Sequence, residues 1–386
     1  MNYVMGFLNS NVCSDILDLI SPTLNYEVGH ISSLPLIIDD MKKEEISKIV
    51  LENIAICKRD WEDYETSWNF SKHPFFYFNE SKLENCFEKL LNYKNNQIKN
   101  LELNEIRLNE LFSEIYNISC ENSIEKKHIS INTPDLTNAI KSFISYCVGC
   151  MFGRYNLDSE GLKFAGGEFD ISNYHKFVPD KDNIIPVLDT EYFEDDIVGK
   201  FVEFVKICFG NEYLEENLEY IANSISNSNK PSRDKIREYF VREFFNNHNK
   251  TYKKRPIYWQ FNSGKENAFN CLIYVHRFNS NLIAKIRTEY LHKTQKAIEQ
   301  SISRCDEILK NINSNSEKVQ VLKEKNKLIK QLDESIEFDE VLNHIANLNL
   351  NIDLDDGIKF NYKKFQNITI KKEGVKDKKI NLLKKI

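Results

Sequence analysis

No proline occurs after Pro256. Proline ends helices because it lacks an N–H and its ring collides with the preceding turn, so the last third of the chain is free to form long ones. Within it, apolar positions return every seventh residue: Ala284, Leu291, Ile298, Cys305 and Ile312 in one register, Ile302 and Leu309 in the other. A polar turn is expected at Asn313-Ser-Asn-Ser316. Beyond it Leu322, Ile329 and Ile336, with Val319 and Leu332 between them, form a second stripe. Two such helices on a short polar loop predict an antiparallel hairpin over 281–350. An intramolecular scaffold is the preferred reading, with a dimer coiled coil as the alternative.

Helical spacing also dominates the amino-terminal part. Met5 to Ile20 predicts a helix stopped at Ser21-Pro22, followed by a loop and a short apolar strand within Val28–Ile38. Helices are expected over Met41–Cys57, Ser81–Tyr93 and Gln97–Ile118, with Trp61 to Trp68 as a packed aromatic connector. Thr133-Pro134-Asp135 reads as a helix start, and Leu136, Ile140, Phe143, Ile144, Cys147 and Val148 line one face of that helix. Asn183–Leu188 predicts a buried strand, and Phe193–Phe209, 211–226 and 231–247 predict helices. Ile257–Phe261 and Cys271–Val275 predict a β-hairpin with Lys265 at its bend. The expected fold is helix-dominated α+β. Its expected divisions are 1–40, a helical connector region at 41–130, a mixed α/β central domain at 131–280, the helical hairpin at 281–350, and a short closing segment with a lysine-rich, frayed tail at 351–386.

At 386 residues, with 28% charged and 41% apolar, the composition is that of a globular protein with a real core. No apolar run approaches the ~20 residues of a membrane span, and a cytoplasmic protein without membrane partners is expected. Nine scattered cysteines predict reduced thiols. Cys147-x-x-Cys150 has no second pair, so no metal site is expected there. The net charge of −6 hides segregation: 184–220 hold ten acids against two lysines, 230–255 nine basic residues against three acids, and 359–386 ten lysines against two acids. Local field, not net charge, governs phosphate binding.

Four segments carry a resemblance. They are Tyr146-Cys-Val-Gly-Cys-Met-Phe-Gly-Arg-Tyr-Asn-Leu-Asp-Ser-Glu-Gly-Leu-Lys-Phe-Ala-Gly-Gly167, then 184–204, then Arg255-Pro-Ile-Tyr-Trp-Gln-Phe-Asn-Ser-Gly-Lys-Glu-Asn-Ala-Phe-Asn270, then 351–365. In this order they resemble the PglX family, the adenine-specific DNA methyltransferases of bacterial BREX phage-defence systems. Leu19 to Pro35 looks like the closing segment of a target-recognition domain, making 1–40 a remnant of one. The resemblance implies methyl transfer from S-adenosylmethionine to the exocyclic amine of adenine in a non-palindromic site of double-stranded DNA.

One part of the family pattern is absent from these residues. Amino-methyltransferases need an Asn/Asp-Pro-Pro-Tyr loop to accept the flipped base's amino group and a glycine turn after a first strand for the cofactor. No Pro-Pro dipeptide occurs, and His73-Pro74-Phe75-Phe76-Tyr77 lacks both the leading acceptor and the second proline. Gly166-Gly167 opens no strand-turn-helix unit. The chain therefore resembles the carboxyl-terminal part of such an enzyme. No catalytic, cofactor-binding or metal residue is assigned to it, and alone it is expected to be inactive.

The expected DNA contacts are Arg154 and Tyr155 after the signature helix, Lys253, Lys254 and Arg255 before the first hairpin strand, Lys265 at its bend and Arg277 after the second strand. Guanidinium forks suit phosphates and guanine edges, and basic residues interleaved with aromatics suit a backbone-tracking surface. Partners implied are DNA and a separate methyltransferase half or other defence-complex subunits. The alternative is a non-enzymatic docking subunit. A metal-dependent nuclease built around Pro134-Asp135 ranks last, since no Glu-x-Lys strand accompanies it. Glu168 and Asp170 are read as turn-capping acids.

Overall fold

The computed structural model describes residues 1–21, 25–118, 131–312, 314–370 and 378–386, with the backbone alone for Ile370 and Lys378. Cys120, Pro22, Asn313 and part of the lysine-rich tail lie outside the described residues. Two compact units divide the chain: 1–79 with 85–136, and 80–84 with 137–386.

In the first unit, α1 (Asn2–Leu8), α2 (Asn11–Ile20) and α3 (Val28–Ser32) precede α4 (Lys43–Glu62) and α5 (Leu83–Tyr116). Ile46, Ile49 and Val50 of α4 meet Leu108, Leu111 and Phe112 of α5, while Ile56 meets Leu101, so the two helices run antiparallel. Tyr3 and Phe7 complete this core from α1. Gly6 lets α1 approach α4, since a Cβ there would lie 3.1 Å from both Ile46 and Val50. Lys94 is buried and pairs with Asp60 at 2.7 Å and Asp63 at 2.6 Å. The Trp61–Trp68 stretch departs from the packed connector expected. Trp61 and Tyr64 are more than half exposed and Trp68 wholly so, while Glu62 and Asp63 between them pair with Lys58, Arg59 and Lys94.

The second unit is built on α6 (Leu136–Met151), whose Phe143 packs within 6.3 Å of Phe201, Phe204 and Phe209 of α7 (Ile197–Phe209). Next come α8 (Leu214–Ile225) and a helix running from α9 (Ser232–Tyr239) through a π-turn at Phe240–Phe244 into α10 (Phe245–Thr251). Strands β1 (Ile185–Pro186), β2 (Tyr258–Asn262) and β3 (Asn270–Tyr274) form an antiparallel sheet in the order β1-β3-β2, with Trp259 opposite Ile273. Aromatic and aliphatic residues suit these pleated strands, which are buried at every position but Asn262.

A second interrupted helix comes next: α11 (Leu282–Lys285), a π-turn at Ile286–Leu291, and α12 (His292–Asn311). Against α12 lies α13 (Asn315–Asn347), joined through Ile298, Cys305 and Leu328. The α13 stripe differs from that expected. Leu322, Ile329 and Ile336 are exposed, and Leu328, Phe338, Leu342 and Ile345 are buried.

Helix α14 (Ile358–Lys363) brings Tyr362, and just beyond it Phe365, edge-on to Trp259 at 5.2 and 5.7 Å. The short strands β4 (Ile368–Ile370) and β5 (Lys378–Ile380) pair antiparallel. The last residues are not frayed. Asn262 N donates to Leu382 O at 3.0 Å and Lys384 N to Gln260 O at 2.9 Å, so the chain's end lies along β2. Leu382 and Leu383, buried within a lysine-rich run, supply the apolar anchor.

Candidate nucleic-acid interface

Helix α6 ends where the signature glycines begin. A Cβ on Gly149 would sit 2.5 Å from the Tyr155 ring, and one on Gly153 (φ +76°) 2.7 Å from Phe169. Only glycine lets the chain reverse so closely. The carbonyls at this helix end lack intrahelical partners and are met from elsewhere. Asp180 N donates to Met151 O, Arg277 Nη1 to Phe152 O at 3.2 Å, and the Tyr174 hydroxyl to Gly153 O.

Arg154 and Tyr155 turn inward. Tyr155 is 2% exposed and stacks on Tyr146 at 5.1 Å. Arg154 donates from Nε to the Tyr155 hydroxyl at 3.0 Å and from Nη1 to the Tyr274 hydroxyl at 3.2 Å. No carboxylate pairs with this guanidinium among the described residues. Two histidines nearby are neutral. Burial first, then the charge of Arg154, brings His248 down to about 3 and His276 to about 4. His248 Nε2 accepts from the amides of Ile257 at 3.0 Å and Tyr258 at 3.1 Å, fixing the start of β2.

Arg277 lies 3.6 Å over the Phe169 ring and donates to Phe152 O and Lys181 O. Burial draws it down to about 10, still cationic at neutral pH. It walls a cleft of about 460 Å³ lined also by Phe164, Gly167, Lys181 and Lys285. Beside the cleft, Asp180, Asp182 and Asp195 bring carboxylate oxygens within 4.8 Å of one another. The Tyr290 hydroxyl reaches Asp195 at 2.8 Å and Asp182 at 3.0 Å, and Lys285 reaches Asp182 at 3.1 Å. Tyr290 comes from the π-turn, where one extra residue per turn redirects side chains. Burial, then the shared hydrogen bond with Asp182, raises the Asp180 carboxyl to about 7. Burial works to raise Asp182 too, but bonds from Asp180, Lys285 and Tyr290 outweigh it and leave it below its ordinary value. The pair thus holds one proton near neutrality, on Asp180. Lys285, Lys200 and Tyr290 already supply the charge and donors that a cation would. Sequence reading did not find this cluster, because Tyr290 lies 108 positions from Asp182.

The segregated charges largely meet one another. Arg233 forks onto Glu215 at 2.7 Å, Arg237 onto Asp196 at 2.7 and 2.9 Å, and Lys230 pairs with Glu238 at 2.8 Å. Among the described residues, Lys250, Lys253, Lys254 and Arg255 have no acidic partner, and all four are exposed. They crowd the end of α10, where helix carbonyls favour cations. Lys253 and Lys254 both adopt left-handed backbone, φ +50° and +60°. Lys265 is also exposed, at the turn between β2 and β3. It stands at the far end of β2 from this turn, roughly 20 Å away at ~3.3 Å per residue. Lys253, Lys254 and Arg255 are therefore brought together, Arg277 and Arg154 lie inside, and Lys265 stands apart. Asp170 accepts from Ser172 N at 2.9 Å and caps a turn.

No protein-family model matches the chain. Along almost its whole length it is related to adenine-specific methyltransferases. It is 37% identical over 374 residues to the adenine-specific methyltransferase PglX of Lacticaseibacillus casei (strain Zhang), covering 94% of this chain and 31% of that protein. It is 34% identical over 392 residues to the adenine-specific methyltransferase BrxX of Escherichia coli O9:H4 (strain HS), covering 94% and 32%. The resemblance read from the four segments is thereby shown, as a BREX-type methyltransferase relationship. The chain spans about a third of the length of these curated relatives. Among the described residues no helix is long and apolar enough to cross a membrane.

Proposed function

We propose that this chain is the DNA-engaging and scaffolding, carboxyl-terminal part of a BREX-type adenine-specific DNA methyltransferase. The reaction is methyl transfer from S-adenosylmethionine to adenine in double-stranded host DNA, with cofactor and flipped base held outside these residues, by a methyltransferase half or other defence-complex subunits. The kinship with named methyltransferases supports the chemistry, and the lack of any Pro-Pro-Tyr loop in these 386 residues supports the division of labour.

The observation that carries DNA engagement is the Lys250–Arg255 turn, four exposed cations in six residues without acidic partners, while Lys230, Arg233, Arg237 and Arg242 of the same basic run pair with acids. Such a turn meets phosphates without reading bases. Binding of a duplex by the chain should weaken steeply with salt. Removing Lys253, Lys254 and Arg255 together should lower the log–log slope by roughly 2–3, at ~0.9 per phosphate contact. An unchanged slope refutes the assignment. The chain alone should neither bind S-adenosylmethionine nor incorporate labelled methyl groups.

A docking subunit is the second reading, favoured by the many exposed apolar side chains of the first 41 residues. It predicts little duplex binding at any salt.

A further inference from the structure

Four hydrogen bonds to residues 35–39 have the two-residue period of a β-strand, yet their partners are tyrosine hydroxyls. Tyr116 Oη donates to Pro35 O at 2.6 Å and accepts from Ile37 N at 3.0 Å. Tyr3 Oη donates to Ile37 O at 3.0 Å and accepts from Asp39 N at 3.2 Å. Successive residues of an extended chain aim their backbone groups to opposite sides. One edge, at Pro35, Ile37 and Asp39, is therefore satisfied. The other presents the N–H and C=O of Leu36 and Ile38, which meet no partner among the described residues.

That open edge is apolar. Leu36, Ile37 and Ile38 are 39%, 45% and 58% exposed, and no charge interrupts Leu34 to Ile38. Tyr3, whose hydroxyl lies on the closed edge, belongs to α1, which exposes Val4, Met5 and Leu8 on one face. The first 41 residues hold thirteen exposed large apolar side chains, against eighteen described in the remaining 345. Edges left unguarded by lysine, bulge or proline on their open side take up further strands, and concentrated apolar surface marks an interaction site.

We propose that Leu36 and Ile38 pair with an edge strand of the portion that corresponds to the unmatched two thirds of the PglX and BrxX relatives. Main-chain bonds supply the register, and the exposed side chains of 1–41 are covered in the same event. The relatives' extra length argues for this occupant, since they carry about twice as much chain again beyond the matched part. The inference rests on the function proposed above.

The test co-expresses this chain with the unmatched portion of the L. casei relative and measures the complex by sedimentation. Leu36→Pro and Ile38→Pro each remove one open-edge N–H while leaving Tyr3 and Tyr116 their partners. Each should weaken the complex at least tenfold, and in the wild-type complex the Leu36 and Ile38 amides should exchange slowly. Ile38→Lys, which keeps the backbone, should weaken it too and guards against a proline variant that fails to fold. Wild-type affinity in all three variants, or no complex with the wild-type chain, overturns the proposal. So does self-association of the chain alone that the variants abolish, since the occupant is then a second copy. Salt-dependent duplex binding by the variants should match wild type. Its loss from the wild-type chain would count against the functional reading instead.

Discussion

Glu334, on α13, accepts the Ser263 hydroxyl at 2.7 Å, and through that bond a helix holds the turn bearing Lys265. The same carboxylate accepts the amides of Glu266 at 2.7 Å and Ala268 at 3.1 Å. Gly264 passes so near that a Cβ there would lie 2.7 Å from Glu334 Oε2, at φ +145°. Glu334→Gln points an NH₂ group at backbone donors. It should cost about 1–3 kcal/mol, as leaving buried donors unmet does. Denaturant melts would show the loss, and faster amide exchange at Glu266 and Ala268 would locate it. Unchanged exchange would refute the bracing role.

Asp180 should make stability depend on pH in an unusual direction. Its folded value, about 7, lies above the ordinary 3.8. Its contribution is therefore fully present below about pH 4 and is lost as pH rises through 7. Asp180→Asn keeps the oxygen that accepts from the Asp182 and Ile184 amides and puts a permanent donor where the proton sits. The variant should lack this decline and exceed wild type at pH 8, by on the order of 2 kcal/mol. Parallel stability curves from pH 5 to 8 would contradict the shared proton.

At the exposed turn, fold and function should separate. Lys253 and Lys254 occupy left-handed backbone, which costs a non-glycine residue about 1 kcal/mol. Lys253→Gly with Lys254→Gly should leave the protein equally or more stable while weakening duplex binding and reducing its salt slope. If stability falls and binding holds, the residues are structural.

Gly149→Ala tests the signature from the inside. A methyl group 2.5 Å from Tyr155 must move that ring from its stack on Tyr146. Overpacking of this kind costs about 1–3 kcal/mol. A melting point unchanged from wild type would mean the ring yields freely.

Much of the fold is legible where local spacing decides it. Helix α6, the helix ending at Phe209 and the strands around Trp259 follow from apolar period and β-branched or aromatic runs. The stripe on α13 departs from its heptad spacing because that helix changes neighbours along its length: α12 at Leu328, then Phe269 of the hairpin at Phe338, 6.3 Å ring to ring. A single heptad phase cannot describe both. Among the site residues, Lys253–Arg255 are exposed at a turn that glycine-free spacing does not announce. Arg154, beside glycines in sequence, is drawn inward by the Tyr274 phenol of β3, a contact no local window holds, and Tyr155 by its stack on Tyr146 of α6.

The last residues along β2 carry a consequence for biogenesis. Gln260 and Asn262 find their outer partners only at Lys384 and Leu382, so the central sheet stays unsealed until those residues have left the ribosome. Pairing across so long a stretch is slow. During that interval the nascent hairpin presents a sticky ribbon to neighbouring chains, and a product truncated before Leu382 would keep it indefinitely.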